Sequence, residues 1–204
     1  MMKKIMQMFT RRPAKSYVVV SFYTLNSGYE VEIQEKLIPS LKRLNVPYDV
    51  VGLNSQGSWN LNIYQKAYVI RDMLIKHESM DIVWLDSDAV LCRNPDEFES
   101  MDEDFGCHFR FGRKLSSGTM FFRNNGRIVS LVNDWVEAIE GHPEYGVVTE
   151  QAILKDVLER RVDVSVCRLP LEYSMIFDAV QVEDPVVTHY QASRRFKAQM
   201  SSSS

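Results

Sequence analysis

The stretch Asp81-Ile82-Val83-Trp84-Leu85-Asp86-Ser87-Asp88 decides the fold. Residues 81–85 are apolar almost throughout and do not alternate with polar ones. A strand with that pattern is covered on both faces, which predicts a central strand of a parallel sheet. Apolar character then stops at two carboxylates placed at i and i+2, and a further apolar run, Val90-Leu91, follows.

Working outward, Tyr17 to Tyr23 is a β-branched and aromatic run that predicts a buried strand. Ile33, Leu37, Leu41 and Leu44 mark one face of a helix over residues 31–44, which Pro39 should kink or split. Tyr48 to Leu53 predicts a second strand, and Ile63, Ala67, Ile70 and Leu74 a second helix. Beyond the acidic pair, Phe105–Phe109 and Thr119–Phe122 read as strands, and Ile128, Leu131, Val132, Trp135 and Ile139 as a helix face. Thr149 caps a helix holding Ala152, Ile153 and Val157, and residues 162–169 and 185–188 read as late strands. Strands separated by helices predict an α/β domain with a mostly parallel mixed central sheet flanked by helices.

No internal repeat or linker divides the 204 residues, so one domain over residues 17–197 is expected. Residues 1–16 carry Lys3, Lys4, Arg11, Arg12 and Lys15 without an acid and read as a flexible basic leader. Residues 198–204 read as a disordered tail. The net charge of −3 gives no general drive toward nucleic acid or an anionic membrane. No apolar run approaches the ~20 residues that span a bilayer, and the first residues lack the apolar core of a secretion signal. Cys92, Cys107 and Cys167 have neither zinc nor disulfide spacing. Reduced thiols and a cytoplasmic location are the expectation.

Open α/β sheets bind ligands beyond the carboxyl ends of their strands. Asp86 and Asp88 at such an end repel each other unless a cation lies between them. Hard oxygen ligands suit Mg²⁺ or Mn²⁺, which can bridge a diphosphate. Asp-Ser-Asp is also ordinary turn chemistry, and the apolar strand in front of it is what favours a site.

Ile82 to Leu91 resembles the DxD segment of GT-A fold glycosyltransferases, in particular the nucleotide-diphospho-sugar transferase group. Other stretches match in order. Trp59, Lys66 and Ile70 are similar to residues ahead of the DxD strand. Ser116-Ser117-Gly118 resembles the "NSG" strand with Ser for Asn, and Thr149-Glu150-Gln151 the "DQ" helix with Glu for Asp. Leu169-Pro170-Leu171-Glu172-Tyr173 and His189-Tyr190 resemble the late "LP…Y" and metal-histidine segments.

The resemblance implies a metal-dependent glycosyltransferase with a Rossmann-like GT-A domain and a nucleotide-sugar donor, UDP-linked by default. It implies Asp86, Asp88 and His189 as metal ligands, and the imidazole favours Mn²⁺ over Mg²⁺. Asp86 would also contact the donor ribose. Tyr23, Thr24 and Asn26 fall in the nucleobase region, and Lys66 and Arg71 on the helix that would reach diphosphate or sugar. Ser117 and Gly118 would let backbone approach the sugar. Arg194 and Arg195, with Lys197, would meet the departing diphosphate. Glu150 and Gln151 would serve the chemistry, as base on the acceptor or as stabilisers of the reacting carbon. A chain this short leaves little room for an acceptor domain, so an oligomer or partner is expected to complete that site.

Two rivals stand. Leu85-Asp86-Ser87-Asp88-Ala89-Val90 also fits the first motif of haloacid dehalogenase-type phosphatases, with Asp86 as nucleophile. That motif normally occupies a first strand, whereas two strands precede this one. The other rival is an inactive nucleotide-sugar-binding module.

Overall fold

The computed structural model describes residues 16–196. The leader, apart from Ser16, and Lys197 with the tail lie outside the described residues.

Strands β1 (Tyr17–Thr24), β2 (Tyr48–Leu53) and β3 (Asp81–Leu85) form one half of a six-stranded sheet. Strands β5 (Phe105–Arg110), β6 (Lys114–Phe122) and β7 (Val166–Arg168) form the other. The order is β2-β1-β3-β6-β5-β7. β1 pairs parallel with β2 and β3, and β5 parallel with β7; β6 is antiparallel to both β3 and β5. β6 therefore runs against the other five strands, and β3 has one parallel and one antiparallel neighbour.

The unbroken apolar character of β3 follows from its two covered faces. Ile82 and Trp84 pack with Val18, Val20, Met120 and Phe122 against α3 (Trp59–Lys76), α4 (Gly126–Glu140) and α5 (Glu150–Leu158). Val83 and Leu85 face the opposite way, with Tyr17, Val19 and Phe121, onto Ile33, Leu37 and Leu41. Each such large apolar side chain contributes on the order of 1.5–3 kcal/mol on full burial.

The helical segment that carries Ile33 to Leu41 is not a plain α-helix. α1 (Gly28–Glu32) runs into a π-helical turn, Ile33–Leu37, and then α2 (Ile38–Arg43). The Ile38 N–H bonds to Ile33 O, a five-residue step. The predicted kink at Pro39 is thus absorbed by a wider turn just before the proline, whose ring would otherwise press on the preceding turn. The late strands are shorter than the sequence predicts. Only Val166–Arg168 of the 162–169 run is extended, and the last strand is Val187–His189.

A second sheet contains β4 (Ala89–Leu91), β8 (Met175–Ile176) and β9 (Val187–His189) in the order β4-β9-β8. It ties the end of the chain to the segment just after Asp88. A four-residue helix, α6 (Ser193–Phe196), closes the described chain. No described helix is long and apolar enough to cross a membrane.

Candidate active site

Asp86 is the first residue past β3. Its N–H bonds to Gly118 O at 2.9 Å, and its own carbonyl accepts from Ala89 N–H, which closes a tight turn through Ser87 and Asp88. β4 then pairs antiparallel with β9, with Ala89 opposite His189. That register brings a side chain from 101 positions later in the chain beside Asp88. The His189 Nδ1 lies 3.5 Å from Asp88 Oδ1, and Nε2 lies 2.9 Å from Thr119 Oγ1. When Nε2 donates to the threonine, the Nδ1 lone pair faces the carboxylates. The imidazole rests on the backbone of β6 at Gly118, where a Cβ would stand 2.9 Å from Cε1. Any larger residue there displaces the ring.

Lys66 organises the other wall. It is buried on α3, and its Nζ lies 2.9 Å from Asp86 Oδ1 and 2.9 Å from Glu150 Oε1. It also donates to Ser117 Oγ and Ser117 O, at 3.1 and 3.2 Å. Ser117 Oγ donates to Glu150 Oε1 at 2.9 Å, and Ser117 N–H donates to Gln151 Oε1 at 3.2 Å. Glu150 opens α5, whose N-cap Thr149 accepts from Ala152 N–H. Trp84 Nε1 donates to Asp86 Oδ1 at 2.8 Å, because residues two apart at a strand end share a face.

The electrostatics follow from burial and neighbours. Burial would pull the Lys66 ammonium down, but Asp86 and Glu150 outweigh it and hold its pKa well above the ordinary lysine value. Burial lifts the Asp86 carboxyl above its ordinary value against the pull of Lys66, and Asp88 adds to the rise. Burial would lift Asp88 as well, but the His189 imidazole and the Ala192 N–H hold it below its ordinary value. Two adjacent acids are thus driven apart in basicity.

Asp88 Oδ2 accepts from Ala192 N–H at 2.7 Å, while Oδ1 is buried without a hydrogen-bond partner. Asp86, Asp88 and His189 each offer a ligand atom, all within 4.8 Å of one another. An orphaned buried carboxylate oxygen is costly unless something cationic meets it. Two carboxylates and an imidazole fixed through Thr119 are a fitting donor set for a divalent cation.

These groups line a cleft of about 530 Å³. Of the residues singled out from the sequence, Tyr23, Thr24, Lys66, Asp86 and Asp88 line it. So do Ser117, Gly118, Glu150, Gln151 and His189. Four others are not brought there. Asn26 sits at positive φ in the loop after β1 and bonds through its N–H to Glu30, beside a separate pocket. Arg71 lies over the Tyr68 ring and against Asp72 on the outer side of α3. Arg194 pairs with Asp178 at 2.5 Å and Arg195 with Glu32 at 2.6 Å. The basic segment after His189 thus stands in ion pairs outside the cleft, because the turn of α6 carries these side chains toward Asp178, after β8, and Glu32, at the end of α1.

The sequence reading missed Tyr29, Arg110, Lys114 and Lys155, which also line the cleft. Tyr29 OH accepts from Trp59 Nε1 at 3.1 Å, and burial pushes its phenol up to about 12. It lies on α1 in a stretch whose apolar spacing gave no hint of a site. Arg110 and Lys114 belong to a hairpin whose register no local pattern discloses.

Among solved structures, the chain shares its fold with glycosyltransferases. It matches one involved in glycosylation of the major capsid of PBCV-1 with a TM-score of 0.71 and 13% identity, over 90% of this chain and 98% of that one. It matches GlyE of Streptococcus pneumoniae TIGR4 with a TM-score of 0.63 and 14% identity, over 92% of this chain and 61% of GlyE. The apo structure of the bifunctional WbbM gives 0.59 and 14%, over 88% of this chain and 46% of WbbM. The chain therefore spans about three fifths of GlyE and under half of WbbM. No family profile and no curated protein sequence matches it. What is common at 13–14% identity is the GT-A-like architecture.

Proposed function

We propose that the chain is a metal-dependent glycosyltransferase that moves a sugar from a nucleoside-diphosphate sugar to an acceptor hydroxyl. The observation that carries this reading is the buried Asp88 Oδ1, which lacks a hydrogen-bond partner, set against Asp86 and His189 at the carboxyl end of β3. A shared fold with glycosyltransferases supports it.

Asp86, Asp88 and His189 would hold the ion, with Mn²⁺ favoured over Mg²⁺ by the imidazole. When bound, the ion supplies charge neutralisation at the departing diphosphate. The residues of the chain do the rest. Tyr23 and Thr24, at the end of β1, form the wall on which the base and ribose would rest, with UDP as the default donor. Lys66 fixes the spacing of Asp86 and Glu150, so that the carboxylates meet the donor without rearrangement. Glu150 and Gln151, held by Ser117, face the position where the acceptor hydroxyl would approach. The three free thiols support a reducing, cytoplasmic setting.

The phosphatase reading is not favoured. The chain shares its fold with a glycosyltransferase, and the would-be nucleophile Asp86 is held through its Oδ1 by Lys66 and Trp84. The deciding experiment measures nucleoside diphosphate released from a panel of nucleotide sugars with and without Mn²⁺. Metal-dependent release supports the transferase. Binding of UDP with no release from any donor would identify a binding module. Magnesium-dependent phosphatase turnover that Asp86→Asn abolishes would establish the phosphatase.

A further inference from the structure

The far end of the cleft carries charge that the donor site does not use. Arg110 and Lys114 face each other across the β5–β6 hairpin as direct register partners. Both line the cleft. Among the described residues neither has an ion pair or a side-chain hydrogen bond. Like charges set directly opposite each other on antiparallel strands repel. Two other arginines are matched by acids: Arg127 is bidentate on Asp104, and Arg161 is shared by Asp134 and Asp163. Arg110 is half-buried, and burial together with the nearby Arg194 charge holds its guanidinium below the ordinary value. Arg194 is itself answered by Asp178.

From the geometry we infer that Arg110 and Lys114 form an anion subsite that selects acceptor saccharides bearing a carboxylate or a phosphate. The word acceptor rests on the transferase reading, whereas the anion subsite does not. Lys114 lies four residues before Gly118 on β6, roughly 13 Å along an extended strand. An anion held there is separate from a diphosphate held at Asp86, Asp88 and His189. Arg110 can fork onto either oxyanion, and Lys114 adds a point charge from the facing strand. Phe111, the next residue, is 93% exposed at the hairpin tip. It offers an aromatic face to a sugar ring beside the charge pair, which is why a saccharide fits better than a bare anion.

The test uses methyl β-D-glucuronide, glucose 6-phosphate, inorganic phosphate and the neutral methyl β-D-glucoside. Binding is followed by ligand-observed NMR in metal-free buffer, so that no cation recruits phosphate at the other end of the cleft. The two anionic sugars should bind about tenfold more tightly than the neutral glucoside. The gap should vanish in the Arg110→Gln/Lys114→Gln double variant and persist in Arg71→Gln, a guanidinium outside the cleft. Phe111→Ala should weaken glucose 6-phosphate but not inorganic phosphate. Comparing the two anionic sugars tells carboxylate from phosphate recognition. Because the two cations have no partner to lose, the double variant should melt no lower than the wild type. Equal binding of neutral and anionic sugars, or a gap that survives the double variant, overturns the proposal. Inorganic phosphate binding as well as glucose 6-phosphate overturns its saccharide part. If UDP with Mn²⁺ fails to bind while the Arg110-dependent gap remains, the donor reading fails and the anion subsite stands.

Discussion

The Lys66 ammonium stands 2.9 Å from Asp86 Oδ1 and makes an equal contact with Glu150 Oε1, so one cation joins the carboxyl end of β3 to the first turn of α5. Lys66 and Glu150 each expose only 6% of their side chains, whereas Asp86 keeps 38% open to the cleft. The two contacts therefore differ in kind. The Glu150 contact is a buried ion pair, and the Asp86 contact is one that a second cation in the cleft can share.

Lys66→Met should therefore destabilise the fold by about 3 kcal/mol, the scale for removing one member of a buried pair and leaving the other unmatched. Urea denaturation measures this directly. Mn²⁺ should recover part of the loss, since the ion then answers Asp86, but not the part due to Glu150. A variant as stable as the wild type would show that Lys66 is not the electrostatic centre of the site.

The proposed metal site makes a prediction about linkage. UDP and saturating Mn²⁺ together, at about a hundredfold over Kd, should stabilise the protein by ~2.7 kcal/mol. For a chain of this size that raises Tm by roughly 5–10 °C. Asp88→Asn and His189→Ala should each lose most of the shift, while Arg71→Gln keeps it. A wild-type shift that is the same with and without Mn²⁺ would remove the metal from the account.

Much of this site was legible because its parts are local. The apolar run ending in two acids needs only five residues of strand and a turn, and β3 has both. What was not legible depends on which way a helix turns or how strands register. Lys66 and Arg71 read alike as cations on one amphipathic helix. Five residues at about 100° each place them roughly 140° apart, so one faces the cleft and the other solvent. Arg194 and Arg195 sit near His189 in sequence, but the short turn of α6 sends them to Asp178 and Glu32. The π-helical turn before Pro39 was signalled only as a break, since composition does not say how the backbone will route its hydrogen bonds. Arg110 and Lys114 escaped notice because only the hairpin register sets them face to face.

Gly118 yields a test that separates packing from ligation. A Cβ there would stand 2.9–3.2 Å from three atoms of the His189 ring. Gly118→Ala should cost about 1–3 kcal/mol through overpacking. It should also weaken Mn²⁺ binding by about tenfold, by pushing the imidazole away from Asp88. Combined with His189→Ala, the stability cost should largely disappear, because the obstructed ring is gone. A double-mutant cycle reads that coupling. Additive costs would mean that the alanine methyl meets something other than the imidazole.

Asp104 is the place where pH should act on the fold rather than on the site. Its buried carboxylate accepts from Arg127 through both oxygens, from Asn125, and from the N–H and hydroxyl of Ser165. Arg127 is the main cause of a carboxyl pKa held far below the ordinary 3.8, with burial opposing and the Ser165 N–H and Asn125 assisting. A carboxyl depressed in the folded state stabilises the fold at every pH above its unfolded value. That stability drains away as pH falls from about 4 toward the lower folded value. Asp104→Asn should cost about 2 kcal/mol at neutral pH, the scale of lost charge-assisted hydrogen bonds. Its penalty should shrink steadily below pH 4, as the carboxyl of the unfolded wild-type chain takes up a proton while the folded one stays charged. Unfolding curves at pH 7, 4 and 3 check this. A penalty of constant size across that range would mean that the charge on Asp104 contributes nothing, and that the junction of α4 with the β7 lead-in is held by hydrogen-bond geometry alone.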